Sequence, residues 1–347
     1  MKFLLLSLFI LSISYGDNVI TIATYNVENL FDLKKSGFEY EEYIPNSVSQ
    51  WNQKNYDIKL KNISKVIRDI NPDIIALQEI ESYGAFIDLK NQLKRDGLYY
   101  QYFALATAKN TTVKVGVFSK YKIIYKKEIP INATYRYRNI LETKIDVDGN
   151  DIYLFTNHWK SKAGKESERI RSAKKLYERI EEIGFDKNII LLGDFNSDYE
   201  EDQKIDKNHN DTNGKTGIND VLQTKVLTLP ADSITPLKGY LYNLWYDTNN
   251  DERYSYTYKK KKQALDSIII SPSILNNKNF YYNGRTIESY KAEYLMQNNQ
   301  TYRWQVSKQK PHMHLGKGYS DHLPVIAKFS VMQGNGDKNM QGLYYNK

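Results

Sequence analysis

The sequence predicts an α/β protein of the layered sandwich type. Short β-type runs alternate along the chain with amphipathic helical patterns, and the runs are grouped in a way that is typical of packed sheets. The 347 residues suit one large α/β domain or two ordinary ones. Because there is no internal repeat and no long linker, we expect one domain, at residues 17–332.

The individual elements follow from hydrophobic periodicity and from turn residues. Helical spacing predicts helices at 57–70, 85–95 and 166–183, and Asn71-Pro72 ends the first of them. Loops are expected at 198–217 and 300–319. The predicted strands are Val19–Val27, Ile74–Leu77, Val113–Ser119, Ile140–Ile145, Ile152–Thr156, Ile189–Leu192, Tyr254–Tyr258, Ala264–Ser271 and Leu323–Val331.

The two ends of the chain differ from this pattern. Lys2, the apolar run of 11 residues from Phe3 to Ile13, and the small residues Ser14 and Gly16 predict a signal peptide at 1–16. The run is too short to span a bilayer comfortably. An uncleaved anchor or a buried first strand remains the alternative. We therefore expect a periplasmic or secreted, monomeric protein without a membrane span in its mature chain, and a polar tail at 333–347.

Charge and cysteine content narrow the class of function. The formal net charge is +8, and removal of residues 1–16 takes away one Lys and no acid, leaving +7. This balance favours an anionic partner, above all nucleic acid, although a generally lysine-rich proteome would give the same charge. The chain has no Cys, which excludes thiolate catalysis and cysteine zinc sites.

Polar residues stand at or beside the ends of five apolar runs. They are Asn26, Glu79, His158, the pair Asp194 and Asn196, and the pair Asp321 and His322. A rigid strand holds such side chains in fixed positions, which suits catalysis. The oxygen-bearing members are ligands for Mg²⁺, with Mn²⁺ or Ca²⁺ as alternatives, rather than for zinc.

Six motifs in a fixed order make the chain resemble the endonuclease/exonuclease/phosphatase family, which includes deoxyribonuclease I and bacterial sphingomyelinases. The resemblance covers about residues 19–331. The motifs are Thr24-Tyr25-Asn26-Val27-Glu28-Asn29, Leu77-Gln78-Glu79, Asn157-His158-Trp159-Lys160-Ser161, Gly193-Asp194-Phe195-Asn196-Ser197, Leu265-Asp266 and Ser320-Asp321-His322-Leu323-Pro324-Val325.

The resemblance implies a four-layer α/β sandwich of two packed mixed sheets flanked by helices, with the site at one edge. It implies that Glu79 is the main metal ligand and that Asn26 and Asp321 lie beside the metal. Asp194 and Asn196 would orient or activate the attacking water and bind phosphate, and His158 would contact the scissile phosphate. His322 would be the acid/base group, and Asp266 would hold its ring.

Two departures limit this transfer of roles. Ser267 follows Asp266 where many relatives have His or Tyr. Some relatives also have a carboxylate behind the histidine equivalent to His158, whereas Lys114 occupies the region where we would look for it. His158 is therefore expected to act as a phosphate ligand only.

Several basic residues are weaker candidates for substrate binding. Arg136 and Arg138 could hold a phosphate, and Lys160 could extend a basic floor beside His158. Lys259–Lys262 is predicted to lie in a hairpin near the site. The alternative for all of these residues is that they are ordinary solvated residues of turns and strand ends without a role in substrate binding.

Three functions fit these observations, and a metal-dependent nuclease acting on DNA or RNA is the first. The second is a phosphatase or a phospholipid phosphodiesterase with the same catalytic centre. We place it second because the hairpin at 258–263 is rich in lysine rather than apolar. The third is a non-catalytic binding protein, which the complete set of catalytic residue types disfavours.

Overall fold

A computed structural model describes residues 18–107, 111–132, 137–224, 239–275 and 279–332. The predicted signal peptide, the predicted tail and Arg136 lie outside the described residues. Among the described residues, no helix is long and apolar enough to cross a membrane.

The helices begin where a polar side chain caps the first turn. Helix α1 (Gln53–Ile70) begins four residues before the predicted start, because the Asn52 side chain accepts a hydrogen bond from the main-chain nitrogen of Asn55. Ser82 caps α2 (Tyr83–Arg95) in the same way. Helix α3 (Glu166–Ile183) has the predicted limits. A four-residue helix, α4 (Glu201–Lys204), interrupts the predicted loop at 198–217.

The strands agree with the prediction in the centre of the sheets and differ at the edges. In chain order they are β1 (Asn18–Leu30), β2 (Ile74–Ile80), β3 (Tyr102–Leu105), β4 (Lys114–Ser119), β5 (Lys122–Ile129), β6 (Ile140–Val147), β7 (Asn150–His158), β8 (Asn188–Asp194), β9 (Tyr242–Asn243), β10 (Tyr256–Tyr258), β11 (Lys261–Gln263), β12 (Asp266–Ile270), β13 (Phe280–Tyr282), β14 (Glu288–Ser289), β15 (Met296–Gln297), β16 (Gln300–Thr301) and β17 (Val325–Val331). We did not predict β3, β5, β9, β11 or β13–β16 as strands. Strand β5 is an edge strand with charged, exposed positions, so its sequence has no continuous apolar run.

The strands form two mixed sheets. The first has the order β13-β17-β1-β2-β4-β3, with β14 also paired to β17, and the second has the order β5-β6-β7-β8-β12-β9. Each sheet contains one parallel pair, β1 with β2 and β7 with β8. The carboxyl ends of these two pairs lie at the same edge of the protein, where polar side chains from both sheets meet.

The layers are defined by three buried apolar clusters. One cluster lies between the sheets and contains Ile22 and Ile74 from the first sheet and Leu154 and Ile190 from the second. Helices α1 and α2 cover the outer face of the first sheet, and α3 covers the outer face of the second. The predicted four-layer sandwich is therefore confirmed.

Candidate functional site

The predicted site residues of the described chain gather at one edge of the two sheets. His158 ends β7 and pairs in register with Asp194 at the end of β8, and Asp194 in turn pairs with Asp266 at the start of β12. Asn26 and Glu79 project from the ends of β1 and β2 in the facing sheet. Two sheets thus supply one site, which tertiary packing alone can assemble.

Asn26 joins the two sheets. Its Nδ2 atom donates to Glu79 Oε1 and to Asp194 Oδ2, at 3.1 Å each, and its Oδ1 accepts from the main-chain nitrogen of Glu28 at 3.0 Å. Asn26 thereby positions the two carboxylates. An amide oxygen has two lone pairs, so the bond from Glu28 leaves one for a metal, and the role of Asn26 as a metal ligand stays a prediction.

Backbone strain accompanies this arrangement. Glu79 and Asn196 both have left-handed conformations, with φ of 66° and 48°, which are uncommon outside glycine. The pairing of β1 with β2 shifts in register between Asn26 and Leu30. This irregularity lets Glu79 Oε2 accept from the main-chain nitrogen of Asn29 at 2.9 Å.

His322 and Asp266 form the pair that the sequence predicted. His322 Nδ1 lies 2.6 Å from Asp266 Oδ2, which also accepts from Ser255 Oγ at 2.6 Å. The other ring nitrogen of His322, Nε2, faces Asp194 Oδ2 at 3.9 Å. The ring of Tyr256 packs on His322 with a centroid distance of 4.8 Å. The histidine is thus oriented by one carboxylate and directed at another.

The electrostatics of the site give its two histidines different charge states. Burial disfavours a charged His322 ring, but the carboxylates of Asp266 and Asp194 outweigh burial and raise the His322 pKa well above its usual 6.5. Burial lowers the pKa of His158 well below 6.5, and the charges of Arg138 and His322 lower it further. At neutral pH the site therefore holds one imidazolium and one neutral imidazole.

One ring nitrogen of the neutral His158 faces two carboxylates, and the other is unpaired among the described residues. Its Nε2 lies 3.8 Å from Glu79 Oε1 and 3.6 Å from Asp194 Oδ2, and its buried Nδ1 has no hydrogen-bond partner among the described residues. No carboxylate of the described chain supports its ring. Lys114, the residue we considered in that place, donates to the main-chain oxygen of Glu81 instead.

The remaining predicted residues lie around this centre. Asn196 donates through Nδ2 to the main-chain oxygen of Trp159, and its main-chain nitrogen donates to Asp194 Oδ1 at 2.8 Å. Arg138 donates to the same Trp159 oxygen at 3.0 Å. Lys160 is partly exposed beside it. Asp321 lies near Glu79, and burial raises its pKa.

Sequence reasoning missed a charge network behind Asp321, in which Glu28 and Lys59 are buried and Arg303 is exposed. Arg303 pairs with Glu28 and lies 3.6 Å from Asp321, and the fully buried Lys59 donates to the main-chain oxygen of Tyr319 at 3.0 Å. The signal for Lys59 was present, because it precedes Ile63 on the apolar face of α1 at helical spacing. Arg303 lies in the predicted loop at 300–319 and gave no such signal.

Two sets of side chains could hold a cation. In the described chain, the ligand atoms of Asp194, Asp266 and His322 lie within 4.8 Å of one another. The Asp266–His322 hydrogen bond occupies two of these residues. Burial raises the pKa of both Asp194 and Asp321, the charge of Glu79 raises it further, and these three carboxylates are the second set. Burial raises the pKa of Asp194 to about 7, with His322 opposing the rise and Asp266 increasing it. A divalent cation would relieve this excess of buried negative charge, so the residues present fit such an ion.

A model of the endonuclease/exonuclease/phosphatase family matches residues 21–330. The chain therefore belongs to that family.

Curated relatives that the sequence matches include tyrosyl-DNA phosphodiesterase 2 from several vertebrates. The Bos taurus protein is 31% identical over 140 residues, which are 40% of this chain and 35% of that protein. The Homo sapiens protein is 28% identical over 158 residues, which are 43% of this chain and 41% of that protein. The chain thus spans about two fifths of the length of these relatives.

Solved structures share the fold at low sequence identity. An endonuclease/exonuclease/phosphatase family protein from Bacteroides thetaiotaomicron has a TM-score of 0.55 at 15% identity, covering 92% of this chain and 100% of its own. D. rerio TDP2 complexed with single strand DNA product has a TM-score of 0.54 at 16% identity, covering 90% and 99%. A mannosyl-6-phosphatase from Bacteroides thetaiotaomicron has a TM-score of 0.54 at 15% identity, covering 89% and 99%. These similarities show the fold alone.

Proposed function

We propose that this protein is a metal-dependent hydrolase of phosphate esters and that its substrate is nucleic acid. The observation that supports hydrolysis most directly is the His322–Asp266 pair, directed at Asp194 at the edge where Glu79 and the neutral His158 also lie. A single phosphate group could then be reached by three kinds of side chain. They are an acid/base group, a carboxylate that orients water, and a hydrogen-bond donor to a phosphate oxygen.

Each residue has a role that follows from its atoms. Glu79, Asp194 and Asp321 would hold Mg²⁺, which in such sites offsets the charge of the phosphate. Asp194 and Asn196 orient the attacking water. His158 donates to a phosphate oxygen. His322, charged at neutral pH, gives a proton to the leaving oxygen, and Asp266 fixes the tautomer and stabilises the charged ring.

Nucleic acid is favoured as substrate because a basic hairpin is attached to the catalytic edge. Strands β10 and β11 pair around a turn at Lys259 and Lys260, and all four lysines of Lys259–Lys262 are exposed. A bridge from Tyr256 to His322 ties this hairpin to the site. The relatives that the sequence matches are named as phosphodiesterases of tyrosyl-DNA, which supports the same choice.

A substrate panel tests this proposal. The purified chain with Mg²⁺ would be offered plasmid DNA, RNA, sphingomyelin and phosphorylated inositol in parallel. We expect cleavage of DNA or RNA that chelation abolishes and Mg²⁺ restores. Turnover of sphingomyelin or inositol phosphate alone would replace nucleic acid with a lipid or a small phosphate ester. Full activity in excess chelator would refute the metal dependence.

We also propose that the protein belongs to a bacterium, acts outside the cytoplasm as a monomer, and begins at or near Asp17 when mature. The n-region, apolar run and small residues of the first 16 positions support export. N-terminal sequencing of protein from the native host tests this idea, and a retained Met1 on a cytoplasmic protein would refute it. Light scattering of the purified protein checks the oligomeric state.

A further inference from the structure

A cleft with an internal volume of about 310 Å³ lies beside the catalytic edge. One wall begins at Glu81, two residues after Glu79, and continues into Tyr83 at the start of α2. Thr107 and Lys114 of the β3–β4 region form the opposite wall, and Phe38 lies over the opening. The proposed catalytic steps use none of these side chains.

Glu81 is the unusual residue of this cleft. Only 6% of the surface of Glu81 is exposed. Ser82 and the main chain of Asp32 interact with this carboxylate and favour its charged form, and Oε1 lies 3.5 Å from Ser36 Oγ. Its Oε2 atom has no hydrogen-bond partner of normal geometry among the described residues. A buried carboxylate oxygen without a donor is unfavourable, because it has lost water and gained nothing in return. A ligand that donates hydrogen bonds would satisfy it.

The charges of the described residues around the cleft favour a neutral donor over a second phosphate. Lys114 Nζ donates to the main-chain oxygens of Glu81, Thr111 and Thr112 at 2.5, 3.4 and 3.4 Å, so its hydrogens are already engaged, although its charge still acts on Glu81. Asp32 adds a further negative charge nearby and accepts from Ser82 Oγ at 2.7 Å. Among the described lining residues, an anion would meet the carboxylate of Glu81 and an ammonium whose hydrogens are engaged, whereas a neutral donor would be accepted.

The walls suit a ring that has both apolar faces and hydroxyl edges. Phe38 and Tyr83 are 67% and 59% exposed and line the cleft with aromatic surface. Sugar rings pack their C–H faces on such surfaces, and a carboxylate commonly accepts from ribose hydroxyls in nucleotide sites. The volume lies at the small end of the range for ligand sites, which fits one ring rather than a duplex.

We propose that this cleft binds the sugar ring of the substrate, with two vicinal hydroxyl groups donating to Glu81 while the phosphate ester lies at the catalytic edge. The inference rests on the proposed function, because it takes the phosphate to be held beside Glu79. Vicinal hydroxyls occur in the terminal ribose of RNA and in free sugar phosphates. A 2′-deoxyribose lacks them, so the cleft discriminates against DNA ends.

Binding of phosphate-free sugars tests the cleft independently of catalysis. Adenosine, 2′-deoxyadenosine and methyl α-D-mannopyranoside would be titrated into the full chain with Mg²⁺ and followed by saturation-transfer difference NMR. We expect adenosine or the mannopyranoside to bind, and 2′-deoxyadenosine to bind at least about tenfold more weakly, as loss of a hydrogen bond to a charged acceptor implies. Preference for adenosine indicates an RNA end, and preference for the mannopyranoside indicates a sugar phosphate.

Variants connect that binding to Glu81. Glu81→Gln should weaken binding of the preferred sugar at least about tenfold. Glu41 is an exposed carboxylate outside this cleft, so Glu41→Gln should leave the affinity for the sugar unchanged. Hydrolysis of bis(p-nitrophenyl) phosphate, which has no sugar, should be unchanged in Glu41→Gln, and its rate in Glu81→Gln shows whether the catalytic edge is intact in that variant. If Glu81→Gln does not fold, Phe38→Ala replaces it, because that exposed side chain supports no core.

The outcomes separate this inference from the proposed function. Equal binding of adenosine and 2′-deoxyadenosine together with no binding of the mannopyranoside would overturn the inference, as would unchanged binding in the Glu81→Gln variant. Binding of n-butylammonium in place of every sugar would make the cleft a cation site and also overturn it. Sugar binding without hydrolysis of any phosphate ester would refute the proposed function alone.

Discussion

Replacing Asp266 by Asn tests the proposed acid/base group most directly. Asp266 Oδ2 accepts from both His322 Nδ1 and Ser255 Oγ at 2.6 Å, and its Oδ1 has no partner among the described residues. The Asn side chain of the variant can adopt two orientations. If its oxygen takes the place of Oδ2, it accepts both hydrogen bonds, but the NH₂ group in place of Oδ1 is buried without an acceptor. If the NH₂ group takes the place of Oδ2, it donates to His322 Nδ1 and stabilises the wrong tautomer of the ring.

The magnitude follows from the bond that is lost. A hydrogen bond to a charged group contributes about 1.5–3 kcal/mol, which corresponds to a fall of about one to two units in the His322 pKa. We therefore expect Asp266→Asn to lower kcat by about tenfold to a hundredfold. His322→Ala removes the acid/base group itself and should lower kcat by about 10²–10⁴-fold, with little change in substrate affinity.

Three measurements check this reasoning. NMR titration of the imidazole ring gives the His322 pKa, single-turnover kinetics give the chemical rate, and Asp57→Asn on the exposed face of α1 is the matched control. The double variant should be hardly slower than His322→Ala, because the two residues act as one unit. An active His322→Ala enzyme, or an unchanged His322 pKa in Asp266→Asn, would refute the assignment.

Further predictions concern the metal, the basic hairpin and the charge network. The raised pKa of His322 contributes stability that is complete below pH 6.5 and is lost as pH rises through the folded-state value. Asp194, whose pKa is raised from 3.8 to about 7, lowers stability in the same direction between those two pH values, and its effect is complete above about pH 7. Metal-free protein should therefore lose thermal stability from pH 6 to pH 9, and Mg²⁺ should raise Tm more at pH 8 than at pH 5; an equal rise at both values would contradict the carboxylate site. Glu79→Gln should raise the Mg²⁺ concentration needed for half-maximal activity, and an unchanged requirement would remove Glu79 from the ligands. Changing Lys259–Lys262 to Gln should flatten the salt dependence of DNA binding by up to about 0.9 in log–log slope per lost phosphate contact, with the single-turnover rate at saturation kept, whereas Lys174→Gln on α3 should leave the slope intact. Arg303→Ala should lower unfolding free energy by about 1–3 kcal/mol, because Glu28 loses its counter-charge, and equal stability of the single variant and of Arg303→Ala with Glu28→Gln would disprove that cause.

The central strands and the three long helices were predictable because the pattern of apolar residues in each element shows which of its faces are buried. Strands buried on both faces have continuous apolar runs, as in the first four residues of β2, Ile74–Leu77, and helices have apolar residues at helical spacing, as in α1. The edge strand β5 was not predictable. Its pairing with β6 is set by main-chain hydrogen bonds, which a sequence with consecutive charged residues at 126–128 does not reveal.

Arg303 illustrates why part of the site was not predictable. It lies 275 residues from its partner Glu28 along the chain, and no local pattern links the two. The cleft at Glu81 is a similar case, because its walls come from three separate segments. The burial of the Glu81 carboxylate oxygen without a hydrogen-bond donor results from tertiary packing, so no sequence pattern predicts it.

The sequence by itself determined which residue types stand at the ends of the buried strands, and thereby the acid/base pair and the carboxylates of the site. The reason is that strand periodicity and six ordered motifs are local properties of the chain. Only the tertiary structure decided what each side chain contacts. It turned the amide of Asn26 toward Glu79 and Asp194 and left His158 without a supporting carboxylate in the described chain. Hydrogen-bond partners and desolvation depend on atoms brought together from two sheets, so they exist only once those sheets are packed.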